Sequence, residues 1–251
     1  MHAGKRWYKG MKEGFTAVAL LFVLQVCYAG PPFITDDPEP VPFRHWEYYI
    51  SSINTYQSGI WSGTLPHFEI NYGIVSGMMV HFLFPLNYSA NDGRTFSYGY
   101  ADTELGAKLR FIRETGQHPQ VGTFPVVQIP TIKNSEFSDN KVKIFIPVWI
   151  QKSWNKFTTY GGIGYSVNPG KGNKNSIFTG WEAQYDFSQV LTLGGELYFQ
   201  SADAVGSKPV IAFNIGGYIN FSTKVHFIFS LGRNLANKNF FSSYAGLYLT
   251  I

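Results

Sequence analysis

Between Asp102 and Ile112 the chain changes character at every step. Thr103, Leu105, Ala107, Leu109 and Phe111 carry no charge, while Asp102, Glu104, Lys108 and Arg110 alternate with them and Gly106 completes the second set. A period of two belongs to a β-strand, whose successive side chains point to opposite faces. One face of this strand is greasy and the other ionic. A soluble sandwich would turn the apolar face inward. A membrane barrel would turn it to lipid and the charges to a wet lumen. The strand alone fits both.

From His45 onward the alternation recurs and predicts twelve strands, near 45–56, 65–74, 78–88, 102–112, 119–129, 141–152, 157–167, 176–186, 190–200, 209–219, 225–234 and 241–251. It is strongest at 141–152, where Val142, Ile144, Ile146, Val148 and Ile150 oppose Lys141, Lys143, Phe145, Trp149 and Gln151. It is weakest at 119–129. Short connectors at 75–77, 186–189 and 221–224 alternate with longer polar ones at 57–64, 89–101, 130–140, 168–175 and 201–208. Strands of about ten residues cross a bilayer at a tilt, and short turns at one end with long loops at the other are the habit of outer-membrane barrels. Tyr and Trp near strand ends suit the two interfaces. Only 14% of residues are charged and 18% are aromatic, with mean hydropathy near zero, and no stretch reaches the ~20 apolar residues of a spanning helix. The expectation is an all-β, antiparallel, up-and-down transmembrane barrel of about twelve strands over 45–251. A secreted sandwich or jelly roll is the soluble alternative, and twelve charge-poor apolar faces speak against it.

Residues 1–29 read as a secretory signal. Lys5, Arg6, Lys9 and Lys12 precede an apolar run from Phe15 to Val26, and Cys27-Tyr28-Ala29 offers small residues for cleavage after Ala29. A retained anchor helix would need a longer segment. Cleavage ahead of Cys27, as in a lipoprotein, would follow Val26, a poor residue for that position. Cys27 is the one cysteine, so the 251 − 29 = 222 residues beyond contain none and stability there rests on hydrogen bonds and packing. The signal carries a net +3 (four bases, Glu13) of the chain's +4, leaving about +1. Nucleic acid is therefore not an expected partner. Residues 30–44 form a leader in which Gly30–Phe43 holds five prolines, a density that forbids helix and central strand. Its Asp36, Asp37 and Glu39 could hold a hard cation, but no calcium-loop spacing is present, so a solvated periplasmic leader or a small lumen plug is expected.

The segments Tyr98–Ile112, Gln128–Thr131, Pro147–Trp154 and Tyr160–Gly170 resemble the outer-membrane family named for the putative MetA pathway of phenol degradation. Ala101 and Ile132 stand where that family commonly has Gly. The resemblance covers most of the chain after the signal and implies an outer-membrane barrel that passes small organic compounds.

Candidate chemistry is sparse. After the signal, His45, His67, His81 and His226 fall on inward positions and His118 in a turn, none beside a lipase-like Ser. No metal spacing or phosphate-cradling loop is present, so no cofactor and no enzyme are expected. The informative surface is the lumen, where the alternation places Glu47, Glu69, Glu104, Lys108, Arg110, Lys143, Trp149, Glu182, Glu196 and Tyr198 as candidate pore-lining residues, with Tyr49 and Phe124. Lipid-facing Lys or Arg would cost ~2–4 kcal/mol near the midplane, which fixes the register. The expectation is a monomeric channel or transporter of the bacterial outer membrane for small, aromatic or hydrophobic molecules. Its partners would be outer-membrane lipids, the solute, and the barrel-assembly machinery acting on the C-terminal strand. The alternatives are a structural or surface-interaction barrel with a plugged lumen, and a lipid-modifying enzyme.

Overall fold

Alternating sequence becomes alternating burial. In the computed structural model, which describes residues 31–91, 95–132, 135–237 and 239–251, Ile163 and Leu197 on outward positions are 57% and 54% exposed, whereas Glu182 and Trp149 on inward positions are 0% exposed. Apolar side chains thus coat the outside and charged ones lie within, the inverse of a soluble core. An exposed apolar band of this extent is stable only against lipid.

The strand segments are β1 (Trp46–Gln57), β2 (Ile60–Val75), β3 (Met78–Asn91), β4 (Thr95–Tyr100), β5 (Thr103–Ile112), β6 (Gln120–Thr123), β7 (Val126–Ile129), β8 (Lys143–Trp154), β9 (Phe157–Val167), β10 (Ser176–Asp186), β11 (Leu191–Gln200), β12 (Val210–Asn220), β13 (Val225–Ala236) and β14 (Phe240–Thr250). Every paired set of strands runs antiparallel. β14 returns to β1, with Glu47 opposite Thr250 and Gln57 opposite Phe240, so the sheet closes. Closure leaves no run of unpaired backbone groups in lipid.

The fourteen segments make twelve staves. β4 and β5 lie in line along β3, which faces Tyr100 through Leu86 and Glu104 through Leu83. β6 and β7 lie in line between β5 and β8. The stave expected at 119–129 is therefore broken at Phe124-Pro125. Pro125 has no N–H to give a ladder, and its carbonyl instead accepts from Ala107. The same residue type explains the slip in β2, where the register shifts between Thr64 and His67 around Pro66.

Two of the long polar links expected from sequence are strand. Residues 57–64 hold a two-residue turn at Ser58-Gly59, both with positive φ (53° and 83°), after which β2 begins at Ile60. Such a turn matches the twist of the strands it joins. Ser62, Gly63 and Thr64 read as loop because they are small and polar, yet all three are buried. Likewise 89–101 is mostly the top of β3 and the returning β4. The remaining links at that end, 130–142, 168–175 and 201–209, are long, and the opposite end carries the short turns with the paired backbones of Trp46 and Ile251. The signal expected at 1–29 lies outside the described residues.

Candidate functional site: the occupied lumen

The proline-rich leader does not hang in solvent. It runs through the short-turn half of the barrel, and Phe33, Thr35, Asp36 and Val41 are all buried. Its course can be followed by its partners. Pro31 O accepts from the Tyr218 hydroxyl on β12 (2.9 Å), and Pro32 O from the Ser230 hydroxyl on β13 (2.6 Å). The N–H groups of Ile34 and Thr35 donate to the two carboxylate oxygens of Glu196 on β11 at 2.7 and 2.6 Å. Lys108 on β5 reaches Asp36 at 2.9 Å and Asp37 at 3.5 Å, while its ammonium stands 5.1 Å from the Phe124 ring centroid. Arg110, one inward step along, pairs with Glu39 and donates to Gln120. Val41 N–H meets the Met79 sulfur at 3.4 Å, and Arg44 N–H donates to Gly73 O at 2.8 Å as the leader joins β1. Gly73 is required there, because a Cβ would sit 2.0 Å from Pro42 O.

Prolines suit this position. Each removes a backbone donor, so the chain can cross a confined space with fewer N–H groups to satisfy. Of the donors that remain, those of Ile34 and Thr35 are met by Glu196, that of Val41 by Met79, and those of Asp37 and Glu39 by the side chains of Asp36 and Asp37. The leader's carboxylates, readable in sequence as cation ligands, are held by Lys108 and Arg110 instead.

The wall behind the leader has two characters. From β1 to β5 it is ionic. Glu69 accepts from Asn71 (2.7 Å) and faces His81 Nδ1 at 3.4 Å, with His67 at 3.9 Å. His81 Nε2 faces Glu104 at 3.3 Å, and Glu104 also accepts from Gln128. Nδ1 of His81 further meets Asn71 Oδ1 at 2.8 Å. His81 thus lies between Glu69 and Glu104, its Nδ1 bonded to Asn71 and its Nε2 without a hydrogen-bond partner among the described residues. Glu47 accepts from the hydroxyls of Tyr248 and Tyr49, whose rings stack at 4.6 Å.

From β8 to β12 the wall is aromatic. Trp149 packs against Phe178 at 6.1 Å and near perpendicular, and Phe178 stacks on Tyr198 at 5.9 Å. Phe145 stands 6.4 Å from Trp149, and Val126, Val210 and Ala212 complete the patch, with Val41 and Ile34 of the leader packed against it.

The structure therefore divides the ten candidate residues among several settings. Lys108, Arg110 and Glu196 meet the leader. Glu69 and Glu104 meet across His81, and Glu47 meets two tyrosines. Trp149 and Tyr198 belong to the aromatic patch. Lys143 lies apart, paired with Asp139 of the long 130–142 link at 3.1 Å. Neither carboxylate oxygen of Glu182 has a hydrogen-bond partner among the described residues. Phe178, between Trp149 and Tyr198, was not among the candidates, although counting back by twos from Glu182 finds it. The contacts of the leader had no such signal, because they join residues up to 198 positions apart. Among the described residues no group of three or more His, Cys, Asp or Glu is arranged to hold a metal ion.

No protein-family model matches the chain, and no curated protein matches it in sequence. Solved structures match in fold. An outer membrane channel from Pseudomonas putida F1 superposes with TM-score 0.68 at 15% identity, covering 86% of this chain and 98% of that one. The NanC porin gives 0.56 at 9% identity, covering 80% and 98%. The KdgM porin in complex with disordered oligogalacturonate gives 0.52 at 7% identity over the same shares. Identities this low speak to architecture: the chain is folded as a bacterial outer-membrane barrel.

Proposed function

We propose that this barrel is an outer-membrane channel for small molecules whose path is occupied, at its short-turn half, by its own leader, and that the aromatic wall selects apolar or aromatic solutes. The observation that carries the reading is the way the leader is held. Its strongest contacts are ion pairs and charge-assisted hydrogen bonds to Lys108, Arg110 and Glu196, polar bonds that water can replace. A permanent filler would be expected to bury apolar side chains throughout, as the interiors of small closed barrels do. Behind the leader, Phe145, Trp149, Phe178 and Tyr198 offer ring faces on which a planar solute can lie. The resemblance in sequence to a family associated with phenol degradation, and the fold shared with a channel and two porins, support the same reading.

A second reading has an observation in its favour: the leader buries Asp36 and Thr35 completely, as a plug in a structural barrel would. Planar-bilayer recording separates the two. Wild-type protein should give small, infrequent current steps, and Lys108→Met with Arg110→Gln should raise open probability or step size. Silence from both proteins, each still migrating as a folded barrel before heating and shifting after it, would leave the structural reading standing. Uptake into liposomes should favour phenol-sized aromatics over sugars of equal mass, and Trp149→Ala with Phe178→Ala should erase that preference.

A further inference from the structure

Glu182 lies on the inward face of β10, wholly buried, and neither of its carboxylate oxygens has a hydrogen-bond partner. Opposite it stand Tyr160 on β9 and Glu196 on β11. Glu196 accepts from Ile34, Thr35 and Asn214, so its oxygens are already served. The acidic side chain directly across the ladder from Glu182 is Glu196, and among the described residues no Lys or Arg is paired with either. A buried carboxylate with no donor is costly until a positive charge or a proton joins it.

One more oxygen of this face lacks a hydrogen-bond partner among the described residues, and a leader side chain closes the inner end. Thr35 Oγ1, itself buried, hangs over Gly180, where a Cβ would come within 2.1 Å of it. Gly180 is one inward step before Glu182, ~7 Å along the strand. Gln184 Oε1, one step after, also lacks a partner. Glu182 Oε1 lies over Gly194, 2.3 Å from where a Cβ would be, so the two glycines make room for the oxygens. Past Gln184 the row ends at exposed Asp186 beside the short turn to β11. Asp186, Gln184 and Glu182 thus grade from solvent to interior along one face.

We propose that Glu182 is the inner end of a cation site entered from the short-turn mouth, which takes one monovalent positive charge on the oxygens of Glu182 and Gln184. The charge belongs to an alkali-metal ion or to the primary ammonium of an organic solute. One free carboxylate balances one charge, and an all-oxygen set suits both species. A divalent metal would call for more carboxylates than are free here. The site stands whether or not solutes cross the barrel, so it does not depend on channel activity.

The test is calorimetric titration of the full-length protein in detergent with methylammonium, potassium and sodium chlorides in separate runs, and with tetramethylammonium chloride, which has no N–H, as the control. Saturable one-to-one binding of at least one of the first three is expected, weakened at least about tenfold, or ~1.4 kcal/mol, in Glu182→Gln. Methylammonium alone would identify the organic source, and potassium or sodium the inorganic one. Gln184→Leu should weaken binding several-fold, and serves as the test if Glu182→Gln does not assemble. Glu114→Gln, which removes a carboxylate paired with Lys152 away from this face, should leave binding unchanged. Absence of saturable binding in the wild-type protein, or an infrared carbonyl band of neutral Glu182 that persists at every cation concentration, overturns the proposal in favour of a proton alone. Binding untouched by both Glu182→Gln and Gln184→Leu overturns it equally.

Discussion

The two walls of the lumen do different work with the same strand geometry. The β1–β5 wall presents Glu69, His81, Glu104 and Lys108, each tied to a named partner, and it grips the leader through charge. The β8–β12 wall presents Phe145, Trp149, Phe178 and Tyr198, and it meets the leader through Ile34 and Val41. The ionic wall is directional, because removing one partner strands another. The aromatic wall is forgiving, because ring contacts lose only area and packing. A leader held to one wall by charge and resting on the other by contact can loosen from the first without rebuilding the second.

That contrast can be broken most severely at Lys108. Lys108→Met leaves Asp36 buried without its cation, and breaking a buried pair from one side costs ~3–5 kcal/mol. The leader should become open to protease in the folded barrel and the unfolding transition should fall. Adding Asp36→Asn should restore most of the loss. If the single variant is as protected as the wild type, the ionic wall does not hold the leader.

Trp149→Ala on the aromatic wall should cost somewhat less, ~2–4 kcal/mol, within the range for large-to-small changes and tempered by water entering the gap. It should shift the heat-induced gel transition while leaving the leader's protease resistance near wild type. Equal loosening of the leader by Trp149→Ala and Lys108→Met would erase the distinction between the walls.

Glu196→Gln removes charge from the bonds to Ile34 and Thr35 while keeping the shape. A loss of ~1–2 kcal/mol is expected, read as faster amide exchange at those two residues. The smallest effect belongs to Arg110→Gln. Its partner Glu39 is half exposed, so the pair is worth under ~1 kcal/mol and should vanish at high salt, when measured as leader protection at two ionic strengths.

Much of the barrel was legible because one rule recurs along it. Leu105 and Leu109 turn out, Glu104 and Lys108 turn in, and the same parity holds through Ile144–Ile150 and Trp181–Tyr185. A one-residue slip would put charges into lipid, so local pattern and global register agree. Where local pattern was thin, reading by parity failed. Ser62-Gly63-Thr64 looked like loop but is strand, because small polar residues also serve an inward face close to packed neighbours. Pro125 divided a stave that weak alternation had left whole.

The sequence by itself determined which side chains face lipid and which face inward, how many staves there are, and that the barrel, which contains no cysteine, must hold without disulfides, since these follow from strand periodicity and composition. Only the tertiary structure decided that Asp36 belongs to Lys108, that Ile34 and Thr35 cap Glu196, and that Glu182 is left without a partner. The reason is that a barrel brings residues together across its interior, and no spacing along the chain records which of the inward side chains the leader will meet on its way through.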